Sequence, residues 1–155
     1  MKYCIRHKGM LLYGYVIMCN HVHAIMGAKE DTNGLSGLIR DYKRFTSKQL
    51  IHWVLSKKKE RRRDWMIAIF RHGAFESGNL DLFQIWMHHN CPMVITQNKF
   101  FNQKFNYIHP NPVKAGIVRN PEEYIYSSAT NYAGFDENIL NVIIIDDWSV
   151  IGLVG

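Results

Sequence analysis

The fold turns on the stretch YVIMCNHVHAIM, Tyr15 to Met26. LLYGYVIM (Leu11 to Met18) and HVHAIM (His21 to Met26) are rich in β-branched and aromatic residues, and Cys19 with Asn20 between them can turn, so the segment reads as a hairpin. Residues two apart on a strand project to one face. His21 and His23 therefore stand together, roughly 7 Å apart at the backbone, while Val22 faces the other way. Neutral imidazole is a common ligand for divalent transition metals, and two on one rigid strand leave coordination positions open for substrate oxygens. The plainer reading of this pair is two satisfied histidines on a half-buried strand face.

Outward from the hairpin the period changes. In TNGLSGLIRDYKRFTSKQLIHWVL, residues Leu35, Leu38, Ile39, Tyr42, Phe45, Leu50, Trp53 and Val54 recur at helical spacing, which predicts an amphipathic helix entered through Thr32, Asn33 or Ser36. SKKKERRRD is a charge-dense connection. WMIAIF and LFQIWMHH read as strands separated by the loop RHGAFESGN. TQNKFFNQKFNYIH predicts a second helix, with Thr96 as N-cap, Phe101, Phe105 and Ile108 as its buried stripe, and Pro110 and Pro112 ending it. Tyr107 lies about 100° from Ile108 and so beside the stripe rather than within it. Asn111, four residues on, sits above Tyr107 if helical geometry survives Pro110.

The chain has 155 residues, 47% of them apolar and 13% aromatic, enough for one globular domain over 1–155. It has no long apolar run and no signal-peptide pattern, which predicts a soluble, cytoplasmic protein with no membrane partner. Cys4, Cys19 and Cys91 are odd in number and widely spaced, against a disulfide framework. The formal charge is +6. Ten of the nineteen basic residues fall in one region: Arg40, Lys43, Arg44, Lys48, Lys57, Lys58, Lys59, Arg61, Arg62 and Arg63. Such a cluster favours a polyanion, although a solvated helix face or a basic loop has the same composition.

The blocks YVIMCNHVHAIM, LSGLIRDYKRFTSKQL, FNYIHPNPVKAGIV and PEEYIYSSATNYAG, in this order and spacing, resemble the REP-associated tyrosine transposases, single-tyrosine members of the HUH superfamily of DNA-nicking enzymes. The resemblance runs over nearly the whole chain. It implies an α+β fold, a ferredoxin-like βαββαβ antiparallel sheet with an added helix. It further implies His21 and His23 as the metal pair for Mg²⁺ or Mn²⁺, Tyr107 as the nucleophile and Asn111 as the candidate third ligand. Related enzymes carry a glutamine one turn from the tyrosine. The implied partner is single-stranded hairpin DNA, gripped by the Arg40 to Arg63 cluster with exposed aromatics as stacking platforms, in a bacterial, nucleoid-associated setting that admits a homodimer.

The sequence departs from the family in three places. It opens at MKYCIRHKG, inside what would be the first helix, so the family's first strand is missing from the expected sheet: either the true start lies upstream, or the chain is an amino-terminally truncated copy, or another strand repairs the sheet. Cys19 stands where a proline or small residue is usual, and Cys91 replaces a histidine near the expected fourth strand. The competing readings are an HUH replication initiator or relaxase, a catalytically inactive DNA-binding remnant, and a structural zinc site from Cys19, His21 and His23 with His88, His89 or Cys91.

Overall fold

A computed structural model describes residues 1–78, 82–87, 91–136 and 138–145. The chain divides into two compact units, one made of Met1–Leu38 with Met93–Gly155 and the other of Ile39–Pro92. The class is α+β.

The first unit is built on the hairpin. Strand β1 (Met10–Ile17) pairs antiparallel with β2 (Val22–Ala28), and the Met18 N–H donates to the His21 carbonyl at 2.8 Å across the Cys19 and Asn20 turn. The register slips between Leu12 and Gly14, so Tyr13 is the extra residue of a bulge. That slip lets Leu12 and Tyr15, three apart, share one face. On it they pack with Leu140, Met1 and Ile5, the last from helix α1 (Lys2–His7). The other face carries Val16, Met18 and Ile25 against Phe101 and Ile108 of helix α4 (Asn98–Ile108). Leu12, Tyr15 and Val16 are at most 1% exposed, and burying side chains of this size stabilises the fold by about 1.5–3 kcal/mol each. Gly14 allows the helix its close approach: a Cβ there would lie 3.2 Å from Ile108 Cδ1 and 3.6 Å from Phe105 Cδ2.

The free edge of β1 is covered from the far end of the chain. Ile17 N–H donates to the Tyr126 carbonyl at 2.9 Å, Ser128 N–H to Tyr15 at 2.9 Å and Ile143 N–H to Leu12 at 2.8 Å. These bonds satisfy backbone groups that an open edge would leave unpaired. Strand β2 has no second neighbour among the described residues, whose sheet holds β1 and β2 alone.

The second unit contains most of helix α2 (Gly34–Ser56) and all of α3 (Arg63–Glu76). Helix α2 forms where the stripe predicts it but keeps only part of that stripe: Leu38 and Val54 are buried and Leu35, Ile39 and Tyr42 partly so, while Phe45, Leu50 and Trp53 are exposed. Helix α3 corrects the expectation from sequence, since WMIAIF is helical and the predicted loop RHGAFESGN continues that helix through Glu76. A six-residue apolar run has no decisive period. The burial here is helical: Met66, Ile67, Phe70 and Ala74 are turned inward while Trp65 and Ile69 are exposed. Nor do residues 82–87 of LFQIWMHH form a strand. They lie against the helices instead, with Gln84 N–H donating to the Phe70 carbonyl at 2.8 Å and Trp86 Nε1–H to Thr46 Oγ1 at 2.9 Å. His88 and His89 lie outside the described residues.

The Arg40 to Arg63 cluster is divided by its partners. Arg40 pairs with Asp41, Arg62 with Glu60 and Arg63 with Asp64, at 3.0–3.1 Å. Lys43 Nζ donates to the Met87 carbonyl at 2.7 Å. Arg44, Lys48, Lys57, Lys58, Lys59 and Arg61 have no acidic partner among the described residues. No helix among the described residues is long and apolar enough to cross a membrane.

Candidate functional site

His21 precedes the first residue of β2 and His23 follows it. By alternation both imidazoles lie on the face that carries Ile25, against which α4 packs. Their ring centroids are 4.9 Å apart, one ring edge-on to the other. His23 is in turn 5.6 Å from Tyr107, again edge-on. Residues 84 positions apart in sequence therefore meet because Phe101 and Ile108 anchor α4 over Val16 and Ile25.

The two histidines are differently prepared. His21 Nδ1 lies 2.7 Å from Asn20 Oδ1. An amide oxygen only accepts, so this edge of the His21 ring is the one that donates to Asn20. Metal-ligating histidines commonly have such an acceptor behind them. Burial, and secondarily the charge of His21, lower the pKa of His23, which favours the neutral ligating form. Cys19 Sγ lies 3.8 Å from Asn20 Oδ1, and among the described residues, which do not include His88 and His89, no group of three His, Cys, Asp or Glu is placed to hold a metal.

Helix α4 ends at Ile108, one residue before its cap His109. Its N-cap is Gln97 rather than the predicted Thr96, with Phe101 N–H donating to the Gln97 carbonyl at 3.0 Å. Pro110 has no N–H to continue the ladder, yet the backbone stays near helical and short helix α5 (Asn111–Lys114) begins at once. Asn111 Nδ2 donates to the Tyr107 and Ile108 carbonyls, both at 2.9 Å. This ties α5 to the end of α4 and leaves the Asn111 amide oxygen as the atom available for other work. Tyr107 is half exposed at 51%. By ligand chemistry the two imidazoles suit transition metals, while the amide oxygen of Asn111, at the end of the helix that carries Tyr107, is of the kind that suits Mg²⁺ or Mn²⁺.

Two contributors escape a reading of the sequence. His109, two residues after Tyr107, is buried with its ring edge-on to Phe105 at 4.2 Å and its Nε2 2.8 Å from Ser128 Oγ, which also accepts the Tyr15 N–H at 2.8 Å. Burial lowers the His109 pKa to about 4. Its position four residues after Phe105 is the signal that could have found it. Lys114 Nζ lies 5.4 Å from the centre of the Tyr107 ring. It stands far from the basic cluster in sequence, and only the α4–α5 turn brings it here.

Compared with protein families, curated proteins and solved structures, the chain matches none of them.

Proposed function

We propose that the chain is a metal-dependent DNA nuclease and transposase of the single-tyrosine HUH type, built on a ferredoxin-like sheet and acting on single-stranded, hairpin-containing DNA. The observation that carries this reading is the meeting of His21, His23 and Tyr107 on one face of the hairpin. His21 and His23, with Asn111, would hold Mg²⁺ or Mn²⁺, which when bound supplies Lewis-acid polarisation of a phosphate oxygen. The Tyr107 phenol attacks phosphorus in line. The Oη–P bond forms, the P–O3′ bond breaks, the phenol proton passes to solvent and the departing 3′ oxygen takes one from solvent. The product is a 5′-phosphotyrosine with a free 3′-OH elsewhere on the strand. Because the link is a phosphodiester, another 3′-OH can displace the phenol and rejoin DNA without ATP. Phenol, with a pKa near 10, leaves more readily than an alkoxide.

A second reading, an inactive DNA-binding remnant, is favoured by the two-stranded sheet and the unpaired side of β2 among the described residues. The two separate in a denaturing-gel assay with labelled single-stranded hairpins from DNA flanking the gene, with Mn²⁺ or EDTA. The nuclease reading expects a metal-dependent covalent adduct that vanishes in Tyr107→Phe while hairpin affinity stays. Binding with no wild-type adduct selects the remnant; cleavage that survives Tyr107→Phe removes Tyr107 as nucleophile.

A further inference from the structure

Three features at the Tyr107 ring bear on how a phosphate would be held. The ring is half exposed, so a strand can reach the phenol. His23 stands edge-on to it at 5.6 Å, and Lys114 Nζ lies over it at 5.4 Å, so the phenol is bordered by the candidate metal ligands and by a cation. Lys114 is exposed and has no ion pair among the described residues.

The backbone beneath Lys114 is well tied. Lys114 N–H donates to the Pro110 carbonyl at 2.9 Å, Ala115 N–H to Asn111 at 2.9 Å and Ile117 N–H to Pro112 at 2.9 Å. Buried Pro112 packs this short helix, and the Asn111 amide bonds it to the carbonyls of Tyr107 and Ile108. The base of the lysine and the base of the tyrosine therefore belong to one hydrogen-bonded turn, while the ammonium keeps the reach of a four-carbon stem.

We propose that Lys114 is the cation that holds the scissile phosphate at the phenol of Tyr107. This rests on the nuclease reading above. The ammonium contacts a non-bridging phosphate oxygen and moves no proton. Its charge opposes the negative charge that grows on those oxygens as the Oη–P bond forms, a contribution strongest in the transition state. The same contact would hold the 5′-phosphate of the cleaved downstream strand. A lysine that merely steadied the aromatic ring would do neither.

The test uses the full chain and two readouts. In single-turnover adduct formation on a hairpin oligonucleotide, Lys114→Met is expected to be about tenfold slower or worse with little change in hairpin affinity, and Lys114→Arg to recover most of the rate. In the non-cleaving Tyr107→Phe background, the downstream strand carrying a 5′-phosphate should bind about fivefold tighter than the same strand ending in a 5′-hydroxyl, a preference that disappears on adding Lys114→Met. A wild-type chain that forms no adduct overturns the nuclease reading and the role of Lys114 within it. Adduct formation by Lys114→Met at the wild-type rate, or a 5′-phosphate preference that is absent or unmoved, overturns the Lys114 assignment alone.

Discussion

Among the described residues, the fully buried polar ones all lie in the unit around the hairpin and none in the unit of Ile39–Pro92. In the first, His109, Ser127, Ser128 and Thr130 are all at most 7% exposed and each has a hydrogen-bond partner. In the second, the ion pairs lie on the surface, and Phe45, Trp53, Trp65 and Phe75 are 43–82% exposed. A buried polar group tolerates one geometry, because an unmet partner there costs far more than in water. Surface charges and aromatics tolerate many geometries and suit a flexible polyanion. Under the proposed function, the difference would leave precise placement of Tyr107 to the first unit and adaptable grip on DNA to the second.

The largest expected effect that would sharpen this contrast is the response of His109 to acid. Its folded pKa of about 4 lies below the ordinary 6.5, so between those values the unfolded chain binds the proton and the folded chain does not. Stability contributed by burying neutral His109 is thus fully present above pH 6.5 and is lost as pH falls through 4, an effect of about 3 kcal/mol. Denaturant melts from pH 7 to pH 4 should show it, and His109→Gln should flatten the slope across that window. An unchanged slope in His109→Gln would assign the acid response to other groups and remove His109 from the buried network that sets the first unit apart.

Next is Ser128→Ala. The hydroxyl accepts the Tyr15 N–H and meets His109 Nε2, and its removal orphans both inside the fold. The expected loss is about 1–3 kcal/mol in unfolding free energy. Adduct formation should slow as well, measured where the variant is fully folded, because Ser128 links the α4 end to β1. A variant as stable and as fast as wild type would remove the buried network from the placement of the nucleophile.

These particulars also mark how far the sequence could be read. The hairpin was legible because enrichment in β-branched and aromatic residues and a two-residue turn are local signals, and α4 because Phe101, Phe105 and Ile108 form a stripe. Helix α3 was not: Trp65 to Phe70 is apolar at every position, and its period is visible only once Trp65 and Ile69 are seen to face outward. In the site, His21, His23 and Tyr107 stand out by residue type and spacing. Lys114, His109 and the Asn20 acceptor act through a turn after Pro110, a serine 19 residues away and a side-chain rotamer, none of which has a sequence period.

The smallest expected effect on the fold, and the clearest on the partner, belongs to the connection between α2 and α3. Lys57, Lys58 and Lys59 are exposed and lack acidic partners among the described residues, so turning all three to Glu should move unfolding free energy by only about 0.5 kcal/mol. Hairpin affinity should nevertheless fall, and its dependence on salt should flatten by about 0.7 in log–log slope for each phosphate no longer neutralised. Affinity measured from low to high salt reads both quantities. Unchanged affinity and slope would take these lysines off the DNA surface and shift the grip to Arg44 and Lys48, which lie four residues apart on α2. A large loss of stability would show instead that this connection is as constrained as the buried network, and the contrast between the two units would fail.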